Sequence, residues 1–188
     1  STADKLDAMF NDLWTRCPLG KAEVITSAGA FVEKSGWHGK GKAFDIDAIF
    51  WNERAFVTKR FPSDAKFYLG VESVLRHHFG TILAYSYNGA HEDHFHLQDD
   101  GVAVGFYEGR RSCVLFVQNA LKHFRGASLS INGSMDAATK TALNTWLSEL
   151  GIEHLNTVAN YEQFLDAVQE EGFFGSARSG EDATRADL

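Results

Sequence analysis

Apolar residues at the start of the chain recur three or four positions apart, at Leu6, Met9, Phe10 and Leu13. Residues 3–14 are therefore predicted to form an amphipathic helix with one apolar face. A second helix is predicted over residues 64–79, because Gly80 favours a helix end. His77 and His78 would form the positive last turn of that helix rather than a pair of metal ligands, since neighbours on a helix point about 100 degrees apart.

Alternating polarity replaces the helical pattern between these two segments. Within residues 43–51, Asp45 and Asp47 fall on one face, while Phe44 and Ile46 fall on the other. Such alternation is typical of a strand with one buried face. Asp47 is interpreted as a solvated or structural carboxylate at the strand end.

More strands are predicted near the middle of the chain. Residues 85–87 are expected to form one strand, residues 88–90 a turn, and His94-Phe95-His96 the next strand. Because alternate side chains of a strand share a face, His94 and His96 would point the same way while Phe95 enters the core.

The last third of the chain has helical patterning. Three helices are predicted, over residues 112–124, 136–151 and 159–171. Asp136 is a good helix N-cap, and Gly151 a good helix end. The chain is predicted to divide into three parts: a domain of helices and strands over residues 1–109, a helical module over 110–175, and a mobile tail over 176–188.

Composition narrows the class of protein. The 188 residues are 44% hydrophobic and 13% aromatic, enough to bury a core. The net charge of -7 argues against nucleic acid as a partner, and no apolar run is long enough for a membrane span. The first residues do not show the charged-then-apolar pattern of a signal peptide, so the sequence does not indicate a route of export.

Histidines and one carboxylate point to a metal site. His91, His94 and His96 fall within six residues, while His38 and Asp45 lie in a glycine-rich segment further upstream. Two or three imidazoles with one carboxylate form the ligand set of a catalytic Zn²⁺ site that keeps one position for water. The sequence therefore predicts a zinc centre.

His38-x6-Asp45 followed by Asp93-His94-Phe95-His96 resembles the zinc signature of the LAS metallopeptidases, which include D-Ala-D-Ala carboxypeptidases, murein endopeptidases and the hedgehog domain. Residues 87–97 are more similar still to the bacterial extensin-like branch. The resemblance covers roughly residues 20 to 105. It implies an α+β fold in which a small antiparallel sheet carries the zinc site between flanking helices.

The same resemblance implies roles for individual residues. His38, Asp45 and His96 match the three metal ligands, and His94 matches the imidazole beside the metal. Two alternatives stand for the acid-base residue. His91, together with His94, matches the endopeptidase pattern, while Asp93 holds the place of the carboxypeptidase glutamate and is also a candidate for a supporting role.

A reaction and a compartment follow from this resemblance. We expect hydrolysis of an amide bond in peptidoglycan, with carboxypeptidase, endopeptidase and amidase activity as alternatives, in the periplasm or outside the cell. Relatives of this branch often carry a cysteine at each end of the domain, which favours a disulfide between Cys17 and Cys113; two buried free thiols are the alternative. A noncatalytic zinc-containing domain that binds cell wall or protein is the alternative function.

The helical module carries a second resemblance. Asn132-Gly133, Asp136, Thr139 and Ala142-Leu143 are similar to the small three-helix peptidoglycan-binding domain, with a generic helical bundle as the alternative. The expected partner of the chain is therefore peptidoglycan. If the protein is a delivered toxin or lysin rather than an enzyme of its own wall, an inhibitory or immunity protein would be a further partner.

Overall fold

A computed structural model describes residues 1–33 and 35–175, so the predicted tail lies outside the described residues. The chain begins with helix α1, Thr2–Arg16. Ser1 and Asp4 cap it reciprocally: the Ser1 hydroxyl accepts from the Asp4 amide, and the Asp4 carboxylate accepts from the terminal amine. Met9 and Leu13 are fully buried, which confirms the amphipathic pattern.

In the described part of the chain, six short strands form two three-stranded antiparallel sheets: β1 Val24–Thr26, β2 Ala43–Ile46, β3 Ala48–Phe50, β4 Ala55–Val57, β5 Thr81–Leu83 and β6 Phe95–Gln98. The first sheet has the order β1-β3-β4 and the second has the order β2-β6-β5. Small antiparallel sheets with surrounding helices confirm the α+β class. None of the helices in residues 1–33 and 35–175 is long and apolar enough to cross a membrane.

Two strand predictions were wrong in detail. Residues 43–51 form two strands of different sheets, because Asp47 turns the chain between them; its amide donates to the Thr26 carbonyl, and its own carbonyl accepts from the Thr58 amide. Residues 85–87 form a turn closed by the Tyr87 amide and the Ala84 carbonyl. The preceding strand is β5, four residues earlier than predicted.

The remaining helices are α2 Ala65–Arg76, α3 Arg111–Arg125, α4 Ala137–Glu149 and α5 Val158–Phe174. Asp136 caps α4 by accepting from the Thr139 amide at 2.8 Å, as predicted. Buried Gln118 of α3 holds the loop before α4: its amide nitrogen donates to the Ser134 carbonyl at 2.9 Å, and its oxygen accepts from the Gly133 amide at 2.9 Å. The three C-terminal helices therefore form as predicted.

The hydrophobic core is continuous across position 109. Phe95 of β6, Leu75 of α2 and Trp146 of α4 belong to the same cluster of buried residues. Helix α2 is buried along almost its whole length. Helix α5 crosses it so closely that a Cβ added at Gly172 would lie 2.6 Å from the Gly70 Cα. The helical module thus shares its core with the sheet region. The division of the chain into separate domains at residue 110 stays a prediction.

A buried ion pair lies within α2, and its arginine also reaches α3. The Arg76 guanidinium donates to the Glu72 carboxylate at 2.7 and 3.0 Å and to the Ser112 carbonyl at 3.0 Å. Burial raises the pKa of Glu72, although Arg76 opposes that shift. Loss of either partner would leave an unpaired charge in the core.

The expected disulfide is not formed in this structure. Cys17, at the end of α1, and Cys113, in the first turn of α3, are both free and buried. Burial raises the pKa of the Cys17 thiol to about 11. Both cysteines pack as small apolar side chains at the ends of their own helices.

Candidate metal centre

The second sheet places Asp45 and His96 side by side. Asp45 of β2 is the direct cross-strand partner of His96 on β6. The residues on either side of His96, Phe95 and Leu97, are fully buried on the opposite face of the strand. Strand alternation therefore puts apolar side chains in the core and the two polar ones together.

His38 completes the group from a separate segment. It begins a short 3₁₀ turn, His38–Lys40, which ends at Gly41 with a φ of 64°. Glycine adopts this left-handed conformation without steric cost, so the chain can enter β2 directly after the turn. His38, Asp45 and His96 are each 8 to 9% exposed.

The three side chains approach one another closely enough to share an ion. His38 Nε2 lies 3.2 Å from Asp45 Oδ2 and 3.2 Å from His96 Nδ1, while His96 Nδ1 lies 2.8 Å from Asp45 Oδ1. Ligands about 2.0–2.1 Å from a tetrahedral zinc ion would be about 3.3 Å apart. The observed separations fit such an ion after small adjustments, and the donor set of two imidazoles and one carboxylate suits zinc.

The peptide segment beside His38 was not predicted to take part in the site. His38 Nδ1 donates to the Ala30 carbonyl at 2.9 Å, which leaves Nε2 with its lone pair toward the other ligands. The Gly29 carbonyl accepts from the Asp45 amide at 2.9 Å. A Cβ added at Gly29 would lie 3.4 Å from Asp45 Oδ2, so this residue borders the site directly. No spacing rule links residues 29 and 30 to the histidines.

His94 and His91 line the more open side of the group. The His94 and His91 rings lie 6.3 and 5.6 Å from the His96 ring, centroid to centroid. His91, His94 and His96 also form a second group whose ligand atoms lie within 4.8 Å of one another. His94 precedes β6 rather than lying within it, so the simple alternation used to predict its direction does not apply.

Hydrogen bonds fix the orientation of both open-side imidazoles. His94 Nδ1 donates to Asp93 Oδ1 at 2.8 Å, and His91 Nδ1 donates to the Asn88 side-chain oxygen at 2.7 Å. Each ring therefore keeps Nε2 as its acceptor nitrogen. The Asp93 side chain is 60% exposed and is directed at His94, so in this geometry it orients that ring.

Thr58 ties the two sheets together beneath the site. Its hydroxyl contacts the Asp47 carbonyl at 2.8 Å and the Asp93 carbonyl at a short distance, and the residue is 1% exposed. These carbonyls belong to the residues that follow β2 and precede His94. Thr58 thus fixes the relative position of the two segments that carry the candidate ligands, a role that the sequence pattern did not reveal.

Electrostatics at the site favours an ionised Asp45. Burial by itself would raise the pKa of its carboxyl group, but the hydrogen bond from His96 and the neighbouring imidazoles lower that pKa overall. Burial and the proximity of His94 and His96 lower the pKa of His91, which favours its neutral, proton-accepting form. Burial raises the pKa of Asp47, whose side chain is in neither candidate ligand group of the described residues.

Comparison with known proteins supports part of the resemblance. Residues 26–113 match the family model for the extensin-like protein C-terminus. The matched segment is slightly less than half of the chain and contains all six predicted site residues. No curated protein and no solved structure matches the chain.

Proposed function

We propose that this protein is a zinc-dependent hydrolase that cleaves an amide bond in the peptide stems or crosslinks of peptidoglycan. The observation that carries the proposal is the buried group of His38, Asp45 and His96, with two further imidazoles beside its open side. A zinc ion held there would lower the pKa of a bound water and polarise a substrate carbonyl.

The residues around the group have separable tasks. His38 Nε2 would supply a lone pair, and His96 Nδ1 would supply another once the proton that it donates to Asp45 in this structure has left; Asp45 would supply negative charge. His91 and His94 each present a free Nε2, so either can accept a proton from the attacking water and return it to the leaving amine. The Asp93 carboxylate would stabilise the protonated form of His94, to which it is hydrogen-bonded.

The C-terminal helices suit a role in holding the wall. The loop over residues 132–136 is held rigidly by buried Gln118, and no member of either candidate metal group lies in residues 110–175. We expect substitutions in this loop to weaken retention by intact sacculi more than cleavage of a small soluble peptide, because remote binding energy mainly positions a large substrate. In this proposal the protein acts in the periplasm or outside the cell, and an immunity protein accompanies it only if it is a delivered toxin.

The proposal is tested on purified sacculi. Zinc-loaded protein should release soluble peptides, a chelator should stop release, and added zinc should restore it. Asp45→Asn should abolish release, whereas Asp7→Asn, the same chemical change on the exposed face of α1, should not alter it. Retention on sacculi with zinc bound but no release by the zinc-loaded protein would favour a noncatalytic binding domain.

A further inference from the structure

A groove of about 260 Å³ opens beside the metal centre. Its walls come from the end strand β5, from the end of β6 and from the start of α3. Residues of all three elements face it, among them Leu83, Gln98 and Arg111.

The strand register places this groove next to the candidate metal centre. Leu83 is the cross-strand partner of His96, and Thr81 is the partner of Gln98. His96 and Gln98 are two positions apart on β6, so they share a face and are about 7 Å apart along the strand. Ile82 is fully buried on the other face, which leaves Leu83 on the same side as His96.

A second connection runs through Tyr87. This residue lines the groove, and its ring meets the His91 ring edge-on at 5.6 Å. The Arg111 guanidinium lies 5.2 Å from the Tyr87 ring centroid and donates to the Tyr87 carbonyl. A peptide whose scissile amide lies at the metal centre would therefore reach this groove within two or three residues.

The groove has two guanidiniums and one carboxylate. Arg110 donates to the Thr81 hydroxyl at 3.2 Å, and that hydroxyl donates to Asp100 at 2.8 Å. Asp100 also accepts from the Val102 amide, so both of its oxygens already have donors. Among the described residues neither Arg110 nor Arg111 forms an ion pair with a carboxylate, and both are exposed. A net positive groove with unpaired guanidiniums on an acidic protein suits an anionic ligand group.

We propose that this groove is a carboxylate-recognition subsite, in which Arg110 and Arg111 bind a free carboxylate of the peptide being cleaved, two or three residues from the scissile amide. The inference rests on the proposed function, since it assigns the substrate class as stem peptides with free rather than amidated carboxylates. Guanidinium is suited to this task because its fixed donors match the two oxygens of a carboxylate.

The test compares two peptides of stem sequence, one with every carboxylate free and one with every carboxylate amidated. Binding is measured by calorimetry on chelator-treated protein, where neither turnover nor coordination to zinc contributes. Wild-type protein should bind the free-carboxylate peptide at least about 10-fold more tightly, as expected for hydrogen bonds between charged groups. Arg110→Gln with Arg111→Gln should remove this preference, whereas Lys122→Gln, which removes one positive charge from the exposed side of the same helix, should retain it.

Each outcome has a distinct meaning. Equal binding of the two peptides by wild-type protein, no binding of either, or full selectivity in the double variant would overturn the subsite. If the protein binds the free-carboxylate peptide selectively but the zinc-loaded protein does not hydrolyse it, the result would contradict the proposed function and support the subsite. Circular dichroism checks folding, and if the double variant does not fold, the single Arg110→Gln and Arg111→Gln variants should each lose part of the preference. The wild-type comparison of the two peptides needs no variant.

Discussion

Gly172→Ala should destabilise the protein because α5 crosses α2 with almost no space between their backbones. A Cβ at position 172 would lie 2.6 Å from the Gly70 Cα and 2.7 Å from both the Gly70 amide nitrogen and the Lys66 carbonyl oxygen. Ordinary contacts of a Cβ are 3.4–4 Å. All three of these atoms are backbone, so no side chain can rotate away and α5 must move by about 1 Å.

The expected magnitude is set by two opposing effects. Separating packed helices to admit an extra methyl group typically costs about 1–3 kcal/mol. The greater helix preference of alanine returns about 1 kcal/mol. Because all three contacts are with backbone, we take the upper part of that cost, about 2–3 kcal/mol. The expected net loss in the free energy of unfolding is then about 1–2 kcal/mol, or a fall in Tm of about 2–8 °C for a chain of this size.

The assay is urea and thermal unfolding followed by circular dichroism. Gly109→Ala is the matched control, because nothing lies within 4 Å of its added Cβ and its φ is not in the left-handed region. That control should be neutral or slightly stabilising. Gly70→Ala should fall between the two, since its Cβ would mainly meet the Phe173 ring at 2.9 Å. If Gly172→Ala is as stable as the control, α5 does not pack on α2 at this distance and the shared core is wrong.

The other predictions concern the site. Asp45→Asn should weaken zinc binding by more than about 100-fold, which exceeds the usual loss when a residue that only supports a ligand is changed. It should also remove the rise in Tm that zinc causes in a thermal-shift assay. An undiminished rise would exclude Asp45 as a ligand. His94→Ala and His91→Ala should retain zinc by metal analysis while losing roughly 100-fold in turnover if each acts in proton transfer, and full activity in both would remove them from the mechanism. Thr58→Val should lower the free energy of unfolding by about 0.5–1.5 kcal/mol, because the Asp93 carbonyl loses its hydroxyl donor while the Asp47 carbonyl keeps the Thr58 amide; Thr58→Ser should retain most of the stability. Equal urea midpoints for the two Thr58 variants would show that the hydroxyl is unimportant.

The sequence identified the helices because each carries its own local signals. The Asp136 N-cap and the apolar spacing of α1 act within a few residues. Such signals depend on helix geometry alone, so they can be recognised in a sequence when the rest of the fold is unknown. The strands were placed less well, because a short alternating run such as residues 85–87 also fits a turn.

The candidate ligands could be named because few side chains bind zinc and because the resemblance to a known zinc signature assigned their positions. His38, Asp45 and His96 could be named without a structure, and the structure brings them within 3.2 Å of one another. What supports them could not be named: the Ala30 carbonyl and the Thr58 hydroxyl are common groups with no spacing of their own.

Only the tertiary structure decided how the parts join. Three features each combine segments that are far apart in the chain: the contact between Gly70 and Gly172, the bond from buried Arg76 to Ser112, and the groove between β5 and the start of α3. The sequence determined the helices and the candidate ligand types, because backbone geometry and coordination chemistry act at short range. Packing between distant segments decided the shared core and the site's surroundings, because many side chains must fit together at once and no short pattern records that fit.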